Sequence, residues 1–302
     1  MRPDGIDLTV VRAFGALERV AKDPAVHGGE ASFGRYVQRI AAGDRAVVGL
    51  PAFVMREFRH RSFFVRQDSA LRDLADLAGT RVGLDAWPAS GNTWSRGLMR
   101  ERGVGLDRVR WVVGPVNADS PPSAPDVLPP GVTPAPPGRP LRDLLVAGEL
   151  DCLISAWPPA GFYDADGPIT RLYPDYRAVE REHYRRTGIY PAHHIVVLRR
   201  EVVERHPWVA GSLYTALVRS REHADRARLL LHESSAWLLA DLEEERALLG
   251  SGFRPYGARE NGPMVAAFCA EQLAQSLIRS PLDPDAVFAD FEELVRSPAR
   301  PA

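Results

Sequence analysis

Residues 81–103, RVGLDAWPASGNTWSRGLMRERG, decide the fold. RVGLDA is the short apolar run of a buried strand, and Pro88, Ala89, Ser90 and Gly91 break it before a helix-compatible segment begins. The order is therefore strand, turn, helix. With Ser90, Asn92 or Thr93 as cap, the first unpaired backbone N–H groups of the helix point past the C-terminal end of the strand, where an anion is stabilised. Trp94 and Leu98 fall on one side of that helix and Arg96 and Arg100 on another, so an aromatic wall and a cation lie within a turn of the anion position.

Outward from this stretch the pattern repeats. AVVGLPAF (46–53) is a β-branched buried strand ending near Pro51, and Arg56, Arg59 and His60 follow it at once in MREFRHRSFFVR. Further strands are predicted at 62–65, 109–114, in GELDCLISAW, in ITRLYP, in HHIVVLRR and at IDLTVV (6–11); LRDLADLAG (71–79) and ALERVAKD (16–23) read as helical, and Ser32 caps a helix carrying Phe33, Val37 and Ile40 on one face. Residues 115–140 are rich in proline without periodicity and read as a surface excursion rather than a core element. After Pro207 only helices are expected, with Val209, Leu213 and Leu217 as one apolar stripe. Alternating strands and helices followed by helices alone define an α/β protein of mixed, mostly parallel sheets with a helical C-terminal part.

The 302 residues suffice for two α/β lobes, and we place their boundaries at 1–80 with 193–302 for the first and 81–192 for the second, with a ligand cleft between them. Lys+Arg 38 against Asp+Glu 39 leaves a net charge of -1, which argues against nucleic acid or a membrane surface as partner and leaves small carboxylic acids; self-association into a homo-oligomer stays open. Cys152 and Cys269 sit in apolar and helical contexts as buried thiols, and the N-terminus lacks a basic region followed by a long apolar stretch, so a cytoplasmic protein is expected.

A run of phrases in the same order resembles the 4,5-dihydroxyphthalate decarboxylase family, relatives of two-lobed, type II periplasmic solute-binding proteins. These are RPDGID; GGEASFGRY with Glu30 and Ser32; PAFVMREFRH with Arg56, Arg59 and His60; the opening stretch through Gly83, Ser90, Trp94, Arg96 and Gly97; and GELDCLISAWPP. EHYRRTGIYPAHHIVVLR, with Glu180, Tyr184, Thr187 and His194, and PYGARENG complete the series. The chain departs from the family at Trp157, where an arginine is usual, and at His193, where a methionine is usual; RPDGID opens this chain, where the family has a strand and a short polar loop ahead of it.

The resemblance implies a carboxy-lyase acting on a hydroxylated aromatic acid. Such an acid loses CO2 after protonation of the ring carbon that bears the leaving carboxylate, assisted by a para hydroxyl, which requires neither metal nor organic cofactor. The site must supply an acid, an anchor for the other carboxylate and a polar partner for the phenol. Ser90 and Gly91 at the helix start, with Arg59 and Arg56, are the expected anchor. His60 or His194 is the expected acid. Trp94 and Arg96 line the ring, and Glu180, Tyr184 and Thr187 orient a hydroxyl or a histidine. Trp157 removes a cation, which makes the dicarboxylate a poor ligand, and His193 is placed to restore the charge. Glu180 and His183 at i, i+3 lack a second such pair, so no metal is expected. A solute-binding protein or ligand sensor, or a lyase or isomerase recruited to a biosynthetic pathway, would use the same cleft.

Overall fold

The computed structural model describes residues 2–11, 20, 23–120, 127–250 and 252–296. Strands β1 (Gly28–Ser32), β2 (Val47–Arg56), β3 (Phe63–Arg66), β4 (Arg81–Leu84), β5 (Arg110–Val113), β6 (Val132–Pro134), β7 (Cys152–Ile154), β8 (Ile169–Arg171) and β9 (Ala192–Arg199) form two sheets. Their orders are β1-β9-β2 and β6-β5-β4-β7-β3-β8. The α/β class expected from the sequence is thus present, with the parallel pairing confined to β4, β5, β6 and β7 of the second sheet. β3 runs antiparallel to both β7 and β8, and the first sheet is antiparallel throughout.

The chain divides into two compact units, 1–57 with 189–273 and 278–302, and 58–188 with 274–277. The expected first crossing after residue 80 is therefore moved to Glu57. Phe63–Arg66 is the reason, since it pairs with Cys152–Ile154 and with Ile169–Arg171 and so belongs to the second sheet. The return comes at Gly188, whose φ of +65° ends the Tyr176–Thr187 helix in a left-handed turn that glycine adopts without strain.

In the first unit β9 is the central strand and its two faces are covered differently. On one, Val48, Leu50, Ala52 and Leu198 pack with Phe291 and with Val209, Leu213 and Leu217 of the Trp208–Leu230 helix, the stripe read from the sequence. The unit's aromatic core stacks Phe33 on Phe268, ring centroids 4.8 Å apart, with Phe53 and Phe288 alongside. In the second unit β4 is central: Val82 and Leu84 pack with Met99, Trp111, Cys152 and Ile154, while Leu141, Leu144 and Leu145 of the Leu141–Val146 helix pack with Phe64 and Leu153. Each fully buried side chain of this size contributes about 1.5–3 kcal/mol. This apolar bed fixes the strand ends and the helix that follows β4.

Three local expectations change. Residues 6–11 form no strand, and Val10 and Val11 are 73% and 71% exposed; both long edges of β9 are taken by β1 and β2. Residues 71–79 contain only the 3-10 turn Leu74–Leu77, closed by a reciprocal Asp73 and Asp76 capping box. Within the proline-rich segment, Val132–Pro134 joins the second sheet as an edge strand parallel to β5, where Pro134 needs no inward N–H. The helix read at 16–23 lies largely outside the described residues, as does 121–126 of the proline-rich segment. Both cysteines are free and buried. No described helix is long and apolar enough to cross a membrane.

Candidate functional site

In the second unit β4 delivers the chain to the Ser90–Glu101 helix, as its sequence dictates, but the capping differs from expectation. Ala89 is the cap residue and contributes no side-chain bond; Ser90 is the first helical residue and is buried. Asn92 instead donates to Asp85 Oδ1 at 2.7 Å and to the Ala86 carbonyl at 2.8 Å, and Thr93 Oγ1 donates to the Ala89 carbonyl. The side chains thereby tie the turn to the helix.

Arg59 lies against this helix start. A methyl group added at Gly91 would sit 2.8 Å from the Arg59 Cζ and 2.9 Å from Nη2, so the bare glycine is what lets the guanidinium lie there. The guanidinium Nε donates to Ser95 Oγ at 3.5 Å, one turn further along, and Arg59 is only 3% exposed. A fixed cation and the positive end of a helix thus share one buried place, and a carboxylate offsets both. Of the expected anchor residues, the structure brings together Arg59, Ser90 and Gly91.

His60 begins the next turn, His60–Ser62, which packs against the Ser90–Glu101 and Tyr176–Thr187 helices. It is 5% exposed, and burial, reinforced by the neighbouring His183, pushes its pKa down to about 3 although Glu101 acts the other way. At neutral pH His60 is therefore a neutral imidazole and lacks the transferable proton expected of an acid. Its Nδ1 and the Ser62 Oγ are buried with no hydrogen-bond partner among the described residues, which leaves two polar atoms in the turn beside Arg59. Glu180 acts on this turn: its Oε1 accepts the Arg61 backbone N–H at 3.3 Å. Tyr184 packs edge-on to Phe58, and Thr187 Oγ1 donates to the His183 carbonyl, so both steady the helix that carries Glu180.

Arg96 does not line a ring-binding surface. It is fully buried, its Nε donates to Gln275 Oε1 and its Nη2 to the Trp87 carbonyl, both at 2.8 Å, and it lies 4.0 Å over the Trp87 ring. Trp94, on the same helix, is likewise buried. Trp157 is 75% exposed just after β7, its carbonyl held by Ser155 Oγ.

In the first unit β9 enters through His193 and His194, which a strand must send to opposite faces. His194 pairs with Ser32 of β1 and Met55 of β2, and its Nδ1 lies 2.5 Å from Glu30 Oε1. The bond from His194 holds the Glu30 carboxyl below its ordinary pKa, outweighing the opposing effect of burial. Glu30 and His194 thus form a carboxylate–histidine pair. Ser32 is spent as a helix cap, accepting the Arg35 N–H. His193 is buried with Nε2 donating to the Glu57 carbonyl at 2.9 Å. Arg56 is also committed: it donates to the Tyr190 and Pro255 carbonyls and to Asn261, and burial lowers its pKa to about 10. It staples β2 to the 255–261 segment.

Sequence reasoning passed over Glu101 and Arg186. The i, i+3 spacing of His183 and Arg186 was the available signal, but their shared partner lies at the end of another helix, 82 and 85 residues away in the chain. Among the described residues no three His, Cys, Asp or Glu side chains are grouped to hold a metal ion.

The chain is 32% identical over 272 residues to the 4,5-dihydroxyphthalate decarboxylase of Comamonas testosteroni, covering 86% of this chain and 81% of that protein. It belongs to the 4,5-dihydroxyphthalate decarboxylase family. The Pseudomonas putida protein of the same name is 30% identical over 165 residues, 52% of this chain and 62% of its own. No family model matches. Among solved structures, the alkanesulfonate-binding protein SsuA of Xanthomonas axonopodis pv. citri gives a TM-score of 0.46 at 17% identity, over 90% of this chain and 82% of that one. The desulfurization enzyme DSZB gives 0.46 at 18%, over 92% and 89%.

Proposed function

We propose that the protein is a carboxy-lyase that removes CO2 from a hydroxylated aromatic carboxylic acid, without metal or organic cofactor. Membership of the decarboxylase family supports the reaction class, and one observation supports the substrate class: the buried Arg59 guanidinium beside the start of the Ser90–Glu101 helix at Gly91. Two positive groups held together out of water favour an aromatic carboxylate that stays behind while a second group leaves.

The chemistry needs an acid for the ring carbon and a polar partner for the phenol. An acid gives its proton to the ring carbon bearing the leaving carboxylate, and His194, oriented by Glu30, is the candidate that the first unit offers. The C–C bond electrons that flow back as CO2 departs restore the aromatic ring, so the net change is replacement of CO2 by that proton. His60, neutral, accepts a hydrogen bond from the phenol O–H para to the reacting carbon and favours the dienone-like intermediate. The two buried free thiols suit a reducing, cytoplasmic setting.

The test is to incubate the purified chain with 4,5-dihydroxyphthalate and 3,4-dihydroxybenzoate, measuring released CO2 beside binding heat. CO2 from either acid, lost in His194→Gln, supports the reading. Binding heat without CO2 replaces it with ligand capture by a binding protein or sensor.

A further inference from the structure

The decarboxylase reading uses His60 and leaves unused the polar groups packed behind it. The His183 ring lies against the His60 ring with centroids 5.0 Å apart and planes at 61°. His183 is itself buried on the Tyr176–Thr187 helix, where Thr187 Oγ1 secures its carbonyl. Its Nδ1 lies 3.5 Å from the Glu101 carboxylate and 3.3 Å from Arg186 Nη2, and Arg186 donates to Glu101 at 2.7 Å. Glu101 is the last residue of the helix whose first turn meets Arg59, so a single rigid element carries the anchor at one end and this carboxylate at the other.

We propose that Glu101 and His183 are positioning residues for His60: the carboxylate fixes the His183 ring, and that ring holds the His60 imidazole in one orientation and one tautomer toward the substrate phenol. The inference rests on the reading that His60 belongs to the substrate site. Glu101 accepts from Arg186, and His183 Nδ1 lies beside both groups, so the ion pair fixes the plane of the His183 ring. Direct attachment of a carboxylate to His60 would instead favour its protonation, and an interposed imidazole avoids this. The other charged or titratable groups around His60 are consistent with a neutral ring. Arg186 and His183 from the Tyr176–Thr187 helix and Arg102 just past Glu101 disfavour a proton there, and Glu101 alone favours one. Tyr173, 6.3 Å from His60, is itself held by Asp73, and Glu180 is engaged with the Arg61 N–H.

The experiment uses the full chain labelled with 15N-histidine, in wild type, Glu101→Gln, Glu101→Asp and His183→Phe, with His60→Ala for assignment. The wild type should show two widely separated His60 ring nitrogens, the mark of one tautomer, unchanged between pH 8 and 5. Glu101→Gln keeps an acceptor for Arg186 and remains folded; it and His183→Phe should bring the two shifts together. In both, kcat for CO2 release from 4,5-dihydroxyphthalate or 3,4-dihydroxybenzoate, whichever is turned over faster, should fall about 10- to 100-fold with KM within about threefold. Glu101→Asp should restore most of the loss. Wild-type nitrogen shifts and kcat in both variants overturn the proposal. Full activity in His60→Ala overturns the functional reading of His60 instead, a separate outcome.

Discussion

Replacing Gly91 by alanine separates what this position does for the helix from what it does for the ligand. The position is helical and lies in the first turn, so the added methyl restricts the unfolded chain and favours the helix by up to about 1 kcal/mol. The same methyl would stand 2.8 Å from the Arg59 Cζ, closer than unbonded atoms settle, so the guanidinium must move. It is the far end of a flexible chain, so the fold is spared, but Arg59 is 3% exposed and has no open water to retreat into without leaving the helix start. Losing one charge-assisted contact costs about 1.5–3 kcal/mol, or roughly 10- to 150-fold in affinity for an aromatic carboxylate. Calorimetric titration with 4,5-dihydroxyphthalate and 3,4-dihydroxybenzoate, beside urea unfolding, reads both quantities. Gly91→Ala should match Arg59→Met in affinity, and the double variant should be no weaker than either, because both act on one contact. Affinity within twofold of wild type in Gly91→Ala, with stability kept, would refute the anchor.

Arg96→Met should lower stability by about 2–4 kcal/mol in urea, since Gln275 and the Trp87 carbonyl are left unsatisfied, while KM stays unchanged; a raised KM at full stability would return Arg96 to the ligand site. Glu101, held at about 2 by its bonds from His183 and Arg186 against the opposing effect of burial, is ionised more easily folded than unfolded. Its stabilisation is therefore complete above about pH 4.5 and disappears as pH falls toward 2, so urea midpoints of wild type and Glu101→Gln should differ at pH 7 and converge near pH 2. Glu30→Gln should reduce CO2 release about 10- to 100-fold with little change in binding heat, and equal loss of both would assign Glu30 to the ligand. Trp157→Arg should improve affinity for the dicarboxylate over the monocarboxylate by about tenfold or more, and no relative gain would remove Trp157 from specificity.

The strands were legible wherever an apolar run also has a partner, and illegible where the partner decides. IDLTVV has the composition of a strand and forms none, whereas Gly28–Ser32, poor in β-forming residues, pairs with β9. Its lack of side chain is an asset: a Cβ on Gly28 would lie 2.7 Å from both the Leu198 side chain and the Val197 carbonyl. Propensity describes one strand, but a sheet selects the segment that fits the neighbour already present. The same holds at 71–79, where Leu74 and Leu77 bury themselves at a spacing that a 3-10 turn meets as well as a helix. The second unit's boundary was misplaced for a related reason, since β3 is antiparallel to both its neighbours and no local feature of Phe63–Arg66 says so.

For the site, charge type was legible and charge commitment was not. Arg56, Arg59 and Arg96 are equivalent on paper, each a cation in a phrase shared with the family. The fold sets Arg56 on backbone carbonyls, Arg96 on Gln275 and Trp87, and Arg59 on Ser95 against a helix start that itself favours an anion. The histidines sort in the same way. His193 and His194 are neighbours in sequence, yet strand alternation gives one to a buried carbonyl and the other to a carboxylate at the surface. His60 is set apart by depth alone, because burial removes its proton before any partner is considered. A residue's chemistry is thus written in the sequence, but the partners that orient it are written in the fold.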